Sequence, residues 1–219
     1  MPRGPSADLG AAVVVPVKAF SQGKLRLAPS LDPGTRAALA RAMATAVVRA
    51  ADPLPVIVVC DDEEVRTWAN AVGAEALWTP GVGLNGAVEA GVAHAGGRGI
   101  ERVIVAHADL PLAHTLAWVA SFEGVTLVPD RHGDGTNVIC VPTTAGFEFA
   151  YGAGSCARHQ AIAEALGLPT RVVPDVHLGW DVDMPADLQL PIDLELPVEV
   201  ADLVRDHRTA AATNAPEQR

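Results

Sequence analysis

Three basic side chains follow the first apolar run of the sequence. Lys18, Lys24 and Arg26 come directly after residues 11–17 (AAVVVPV), with no acidic residue among them. In a chain of 219 residues with a formal net charge of −10, this cluster favours a bound polyphosphate, because anionic groups bind where positive charge is concentrated. The alternative is that the three cations are ordinary surface charges.

Three aspartates have the chemistry of a divalent-cation site. Asp109 lies just beyond residues 102–106 (RVIVA), and Asp181 and Asp183 are two positions apart. In an extended segment, residues i and i+2 project to the same side, so this pair can present two carboxylates together. Carboxylate and phosphate oxygens are the ligands that Mg²⁺ prefers. The alternative for Asp109 and for Asp183 is that each caps the helix that follows it.

The elements that must position these side chains alternate between strands and helices. The sequence predicts strands at residues 11–17, 56–60, 74–78, 102–106, 125–129, 138–142 and 170–173, and helical segments at 33–51, 63–72, 87–95, 112–121 and 156–166. Strands separated by helices predict an α/β fold with a mostly parallel sheet and helices on both faces. Ligands of such sheets bind beyond the carboxyl ends of the strands.

The loops at that edge carry further polar and small residues. They are the Gly-rich segment 79–86 (TPGVGLNG), the turn 130–137 (DRHGDGTN) and the loop 152–155 (GAGS). Because they follow strands of one sheet, we expect them to converge with the cations and the aspartates. Glycines at 152 and 154 let the backbone approach an anion, and Ser155 begins a helix whose first amides favour negative charge.

The histidines have a simpler interpretation. A lone histidine is more often a surface or capping residue than a ligand, and we apply this interpretation to His107, His132 and His159. His107, however, lies beside Asp109 in the sequence and could orient it.

Composition and missing motifs exclude several classes of protein. Sixteen basic against twenty-six acidic residues argue against a nucleic-acid binder. No apolar run reaches the roughly 18 residues that span a bilayer, and no signal-peptide pattern is present, so we expect a soluble cytoplasmic protein. Three widely spaced cysteines predict reduced thiols. The chain lacks the Walker, H-E-x-x-H and nucleophile-elbow motifs. Its Gly-rich segments are not placed as a G-x-G-x-x-G fingerprint after the first strand, which disfavours a nicotinamide dehydrogenase.

We expect one domain over residues 11–204, in which residues 192–204 add a closing helix. Residues 1–10 and 205–219 lack an apolar face and are expected to be flexible tails.

Read in order, the motifs resemble those of a known family. They are the cations of residues 18–26, GLNGAV at 83–88, HADLP at 107–111, DRHGDGTN at 130–137, YGAGS at 151–155 with His159, and DVDMPADL at 181–188. In this order they are similar to the 2-phospho-L-lactate or phosphoenolpyruvate guanylyltransferases of coenzyme F420 biosynthesis, called CofC or FbiD. The resemblance covers residues 11–190. It implies a single-domain, three-layer nucleotidyltransferase fold, Rossmann-like and of GT-A type, with a mostly parallel mixed sheet.

The resemblance also implies roles for individual residues. Lys18, Lys24, Arg26 and Asp109 are implied to be catalytic; Lys24, Leu84, Asn85, Gly86 and Asp109 to bind the nucleotide; Thr136, Asn137, Gly152 and Ser155 to bind the acid; and Asp109, Asp181 and Asp183 to hold Mg²⁺. Some relatives have Gly-Thr-Gly-Thr-Thr where this chain has GDGTN at 133–137. Asp134 therefore adds negative charge beside the acid site, which leaves the preferred acid open.

The implied reaction transfers GMP from GTP to a phosphorylated three-carbon acid, which is phosphoenolpyruvate or 2-phospho-L-lactate, with release of pyrophosphate. The product would pass to a deazaflavin transferase. One alternative is another nucleotidyltransferase of the same fold, such as a 3-phospho-D-glycerate guanylyltransferase or a molybdopterin- or cytidylyl-type enzyme. The other is a non-catalytic nucleotide-binding protein.

Overall fold

The first apolar run forms the middle of the sheet. In the computed structural model, which describes residues 10–189 and Val200, strand β1 (Ala11–Pro16) lies between β2 (Val56–Cys60) and β4 (Arg102–Ala106) and is parallel to both. Its valines at 13, 14 and 15 are fully buried. Because helices cover both faces of the sheet, a continuous apolar run is the expected sequence of such a central strand.

The sheet of the described residues has the order β3-β2-β1-β4-β6-β5-β7. Its other strands are β3 (Glu75–Trp78), β5 (Val125–Pro129), β6 (Thr136–Pro142) and β7 (Thr170–Val172). Strand β6 is antiparallel to β4 and to β5, and the remaining pairs are parallel. The predicted mostly parallel mixed sheet of an α/β fold is confirmed.

The reversed strand matters for the site. Because β6 runs in the opposite direction to β4, it begins at the edge of the sheet where β4 ends. The first residues of β6 therefore lie beside the end of β4, and the amide N–H of His107 donates to the carbonyl of Asn137 at 3.0 Å.

Helices cover the sheet on its two faces. In the described residues they are α1 (Pro33–Ala50), α2 (Glu63–Ala71), α3 (Gly83–Gly97) and α4 (Ser155–Ala165). One core contains Val13, Val15 and residues of α1 and α2, and a second contains Val14 and residues of α3 and α4. Alternate side chains of β1 thus enter opposite cores, as the two-residue period of a strand requires.

Helix α1 illustrates why these segments are helical. The carboxylate of Asp32 accepts the amides of Gly34 at 2.9 Å and Thr35 at 3.1 Å, and Pro33 occupies the first helical position. An aspartate N-cap followed by proline is a strong start signal, because both satisfy or remove amides that have no partner within the helix.

Three predicted boundaries are wrong. Helix α3 begins at Gly83 instead of residue 87, because its apolar side chains pack on the sheet and stabilise a glycine-containing first turn. The first residues of β6, Thr136 and Asn137, belong to the strand and not to the turn before it. Of residues 112–121, only Ala117–Ser121 is helical, as a 3₁₀ helix, and the apolar residues before it enter the core as extended chain and turns.

Other predictions lie outside the described residues. These are the closing helix at 192–204, apart from the buried Val200, and the two tails, apart from Gly10. Among the helices that the structure describes, none is long and apolar enough to cross a membrane.

Candidate active site

A cleft of about 500 Å³ opens beyond the carboxyl ends of β1, β2 and β4. The predicted site residues that line it are Lys18, Lys24, Leu84, Asp109 and Asp183, together with His107. Segments that are up to 165 positions apart in the sequence, from 18 to 183, thus meet at the expected edge of the sheet.

Lys24 is at the centre of this cleft. Its Nζ lies 2.6 Å from Oδ2 of Asp109 and 2.9 Å from Oδ1 of Asp183, and its side chain is only 10% exposed. Burial alone would lower the pKa of Lys24, but the two carboxylates raise it above its ordinary value. Lys24 is therefore a charged ammonium held between two aspartates.

The backbone at Lys24 has an uncommon conformation. Its φ of 54° is left-handed, and it joins two 3₁₀ turns, Phe20–Gln22 and Leu25–Leu27. A residue with a Cβ adopts this conformation at some cost in free energy, and such positions are concentrated at functional sites. The ion pairs of Lys24 with Asp109 and Asp183 help to hold it there.

Asp109 has one paired and one unpaired oxygen. Burial would raise the pKa of this carboxyl, but Lys24, and after it His107, lower the pKa below its ordinary value. Oδ1 is buried and has no hydrogen-bond partner among the described residues. A buried carboxylate oxygen without a partner is costly, so Asp109 retains the capacity for one more ligand. The carboxylate binds Lys24 and is not used as a helix cap.

Asp183 is oriented by a neighbouring aspartate. Oδ2 of Asp187 accepts the amide N–H of Asp183 at 2.8 Å and that of Met184 at 2.6 Å, and Arg131 pairs with the same side chain. These amides and Arg131 outweigh burial and lower the pKa of Asp187. Since Asp187 does the capping, the carboxylate of Asp183 is left to face Lys24, and the alternative that Asp183 is the cap is wrong.

Asp181 lies near the pair but has other partners. Its Oδ1 is 3.4 Å from Nδ2 of Asn137 and 3.9 Å from Nη1 of Arg131. Burial, and then the charges of Asp109 and Asp183, raise the pKa of Asp181. No group of three His, Cys, Asp or Glu side chains in the described part of the chain is arranged to hold a metal ion. The three aspartates are thus neighbours, but Lys24 lies between two of them and Asp181 faces Asn137.

The two other predicted cations are more loosely placed. Lys18 lines the cleft at its mouth and is exposed. Nη1 of Arg26 lies 3.7 Å from Oδ2 of Asp183, and the side chain of Arg26 is 73% exposed. Both can therefore move toward a ligand without breaking a buried contact.

The first turn of α3 was predicted to hold a nucleoside. Leu84 lines the cleft. Oδ1 of Asn85 instead accepts the amide of Tyr151 at 3.0 Å, which ties α3 to the loop before α4. A Cβ added to Gly86 would come within 3.0 Å of the Cβ of Val82, so the turn requires a residue with little bulk there.

The residues predicted to bind the acid lie at the other end of the same edge. Oγ of Ser155 is 3.4 Å from Oγ1 of Thr136, and both residues are 1% exposed. Gly152 and Gly154 have φ values of 115° and 70°, which L side chains rarely adopt. Asn137 has a structural role here, because its amide donates to the carbonyl of Leu178 at 3.0 Å and holds the segment that leads to Asp181.

Three further residues of the site were not predicted as functional. His159 is fully buried and contacts Thr136, although histidines here were expected at the surface. Arg131 joins the 130–137 turn to Asp187, and Arg158 donates to the carbonyls of Ala150 and Ala153. For His159 the available signal was its position one helical turn after Ser155, on the same face of α4.

The fold of this chain is that of the nucleotidyltransferases. Two solved structures share the fold. One is from Desulfovibrio desulfuricans G20 and is assigned to the nucleotide-diphospho-sugar transferases; it superposes with a TM-score of 0.73 at 15% identity, over 93% of this chain and 97% of that one. The other, a nucleotidyl transferase from Methanothermobacter, has a TM-score of 0.53 at 16% identity, over 93% of this chain and 98% of its own.

The particular family follows from sequence comparison. The family model described as "Guanylyl transferase CofC like" matches residues 11–192, and the chain belongs to this family. A phosphoenolpyruvate guanylyltransferase of Sphaerobacter thermophilus is 39% identical over 79% of this chain and 88% of its own length. A 2-phospho-L-lactate guanylyltransferase of Methanothermobacter thermautotrophicus is 32% identical over 78% of each chain. The family and the enzyme class predicted from the motifs are confirmed.

Proposed function

We propose that the protein transfers GMP from GTP to phosphoenolpyruvate and releases pyrophosphate, as a step in coenzyme F420 biosynthesis. The observation that carries this proposal is the Lys24 ammonium between Asp109 and Asp183, in the cleft of a CofC-like chain. Family membership supports guanylyl transfer, and the 39% identity to a phosphoenolpyruvate guanylyltransferase favours that acid over 2-phospho-L-lactate.

The triphosphate of GTP would bind at the cationic end of the cleft. Lys24 is charged and already central, and the exposed Lys18 and Arg26 can approach the β- and γ-phosphates. Positive charge at this place stabilises the pyrophosphate that leaves, because negative charge accumulates there in the transition state. Leu84 would pack against the nucleoside.

The aspartates fit a divalent cation, for which we propose Mg²⁺. The fit rests on the buried Oδ1 of Asp109, which has no partner among the described residues, and on the nearness of Asp181 and Asp183. Mg²⁺ is usually held by one or two carboxylates and by substrate phosphates, so a site built wholly from protein ligands is not required. Asp109 and Asp183 would be the ligands, with Asp181 beside them. When bound, the ion would neutralise phosphate charge.

The acid would occupy the pocket of Thr136, Ser155 and the Gly152 backbone. The hydroxyls of Thr136 and Ser155 suit a carboxylate or a phosphate, whereas the amides of residues 154–156 already donate to Asp134 and to the carbonyl of Gly152. Arg158 holds this loop through the carbonyls of Ala150 and Ala153, and its positive charge lies beside it.

In the proposed reaction, a phosphate oxygen of the acid attacks the α-phosphorus of GTP in line. A new P–O bond forms there, and the bond from the α-phosphorus to the bridging oxygen of the β-phosphate breaks, so that pyrophosphate leaves. The attacking phosphate is already an anion and needs no general base. The protein therefore acts through alignment and charge stabilisation. We propose that the guanosine diphospho-linked product passes to a deazaflavin transferase.

The test is to incubate the protein with GTP, Mg²⁺ and one acid at a time, namely phosphoenolpyruvate, 2-phospho-L-lactate and 3-phospho-D-glycerate. Pyrophosphate release is measured, together with transfer onto the deazaflavin acceptor by the downstream enzyme. We expect release with phosphoenolpyruvate and GTP, and little with CTP or ATP. Release that is faster with another acid would reassign the substrate, and no release with any acid would overturn the proposal.

A further inference from the structure

His159 is a buried histidine with two polar contacts. It lies in the second turn of α4, is 0% exposed, and its ring packs against Phe147, Phe149 and Tyr151, with centroid distances of 5.8, 6.1 and 5.0 Å. Nε2 is 3.0 Å from the amide nitrogen of Ala150, and Nδ1 is 3.0 Å from Oγ1 of Thr136.

These two contacts determine where the ring proton is. A backbone N–H can only donate, so Nε2 of His159 must accept from Ala150 and carries no proton. Burial, and then Arg158 and His107, lower the pKa of His159 to about 4, which makes the ring neutral at physiological pH. A neutral ring with an unprotonated Nε2 carries its proton on Nδ1. Nδ1–H therefore donates to the hydroxyl oxygen of Thr136.

The Thr136 hydroxyl is constrained in turn. Oγ1 receives a hydrogen bond from His159, so its own hydrogen is left to donate elsewhere. The hydroxyl of Ser155 lies on the donor side of a further contact with the same oxygen, at 3.4 Å, which is long for a bond between hydroxyls. Neither of these two contacts uses the hydrogen of the Thr136 hydroxyl.

We propose that His159 is a positioning residue that makes the Thr136 hydroxyl a hydrogen-bond donor toward the phosphorylated acid. This inference rests on the proposed function, in which the acid binds at Thr136 and Ser155. A hydroxyl that could accept as well as donate would bind an anion less well, because only the donor orientation matches a carboxylate or phosphate oxygen. An apolar side chain could fill the same space, but it would leave Thr136 free to rotate.

The test uses two isosteric substitutions that separate the two contacts. In His159→Asn, the amide nitrogen can reach the position of Nδ1 and donate to Thr136. In His159→Gln, the amide oxygen can reach the position of Nε2 and accept from Ala150, while the donor to Thr136 is lost. We expect His159→Gln to raise the KM for the acid by about 10-fold or more and His159→Asn to raise it less, with the KM for GTP within about twofold of the wild type in both.

A purely structural role predicts the opposite order. If His159 serves only to hold the loop at Ala150, His159→Gln retains the important contact and His159→Asn is the more damaged variant. That result would overturn the inference. Thermal unfolding of both variants is measured alongside, and the comparison is made on KM values of folded protein.

Thr136→Val provides a double-mutant cycle. If His159 acts through the Thr136 hydroxyl, adding His159→Gln to Thr136→Val has no further effect on the KM for the acid. If the two substitutions instead raise the KM for the acid independently, so that their effects multiply in the double variant, the inference about His159 is contradicted. The proposed acid site is not affected by that result. An unchanged KM for the acid in Thr136→Val alone would instead show that the proposed acid pocket is wrong, so the two failures are distinguishable.

Discussion

At the level of single residues, Lys24 has a central position, because one ammonium pairs with two carboxylates at 2.6 and 2.9 Å. Its side chain and that of Asp109 are mostly buried, so their charges interact more strongly than a surface pair would. In the proposed function, a nucleotide phosphate would offer Lys24 a third anionic partner, and a carboxylate released from Lys24 could then bind a cation.

Lys24→Ala should weaken GTP binding by about 10-fold or more, because the variant loses a buried positive charge at the proposed phosphate site. Lys24→Arg retains the charge and should be less impaired. The measurement is the KM for GTP together with direct nucleotide binding. Unchanged binding in Lys24→Ala would exclude a role of this cation in holding the nucleotide.

Asp183→Asn should lower kcat by on the order of 100-fold, because the variant loses a carboxylate that we propose as a ligand of the divalent cation. Its side chain is 47% exposed, so the free energy of unfolding should change little. Asp187→Ala is the matched control, because it removes the acceptor of two backbone amides and the partner of Arg131 and should destabilise this segment measurably. Near-normal turnover of Asp183→Asn would exclude this carboxylate from catalysis.

At the level of elements, α3 and α4 hold the loop of residues 149–154 from two sides. Asn85 of α3 accepts the amide of Tyr151, and Arg158 and His159 of α4 bind the carbonyl and the amide of Ala150. The geometry of the acid pocket therefore depends on how closely these helices pack on the sheet.

Gly91→Ala tests the packing of α3. A Cβ at this position would lie 2.8 Å from Cγ1 of Val14 and 2.9 Å from Cγ1 of Val59, so the helix would have to move away from the sheet. We expect a loss of about 1–3 kcal/mol in the free energy of unfolding. Gly97→Ala in the same helix is the control, because its Cβ would meet no atom within 4 Å and alanine is the better helix former. Equal stability of the two variants would contradict this packing.

The start of α4 carries an extra negative charge. Oδ2 of Asp134 accepts the amide of Gly154 at 2.9 Å, close to the proposed acid pocket. Asp134→Asn retains an oxygen for this amide and removes the charge, so the KM for the acid should fall by about threefold. The KM for GTP serves as the internal control. A rise in the KM for the acid would mean that the charge itself is needed to hold the loop.

At the level of the whole molecule, burial of His159 should make stability depend on pH. Its pKa is about 4 when folded, against the ordinary 6.5, so between these values the unfolded chain binds more protons. The contribution of neutral His159 to the free energy of unfolding is therefore fully present above pH 6.5 and is lost as the pH falls toward 4. The groups that face His159 are Tyr151, Arg158 and His107.

Denaturant unfolding of the wild type and of His159→Asn at pH 7 and pH 5 measures this contribution. The wild type should lose about 2 kcal/mol more than the variant over this range. Equal losses would mean that His159 can be protonated within the folded protein.

Much of this molecule could be predicted from the sequence, and the failures have physical reasons. Apolar runs predicted the strands, and helix start signals predicted most of the helices between them. The order of these elements along the chain then predicted a mostly parallel sheet covered by helices. The convergence of Lys24, Asp109 and Asp183 followed from that order. The pairing of Lys24 with both aspartates could not be predicted, because it depends on side-chain geometry across a long sequence separation. The burial of His159 was missed because its aromatic neighbours, Phe147, Phe149 and Tyr151, lie in the irregular segment before α4, whose path over the ring has no periodic sequence signal.

The start of β6 also separates two parts of the sequence to which different substrates are assigned. The segments assigned to GTP precede it, whereas Thr136 and α4, assigned to the acceptor, begin with it, and only the 181–183 aspartates return to the first group. Residues 130–159 thus contain, in one nearly continuous segment, the residues proposed to bind the acid. If these assignments hold, exchanging this segment between relatives that use different acids should change the acceptor specificity while the donor segments are retained, provided that the contact of Tyr151 with Asn85 is kept.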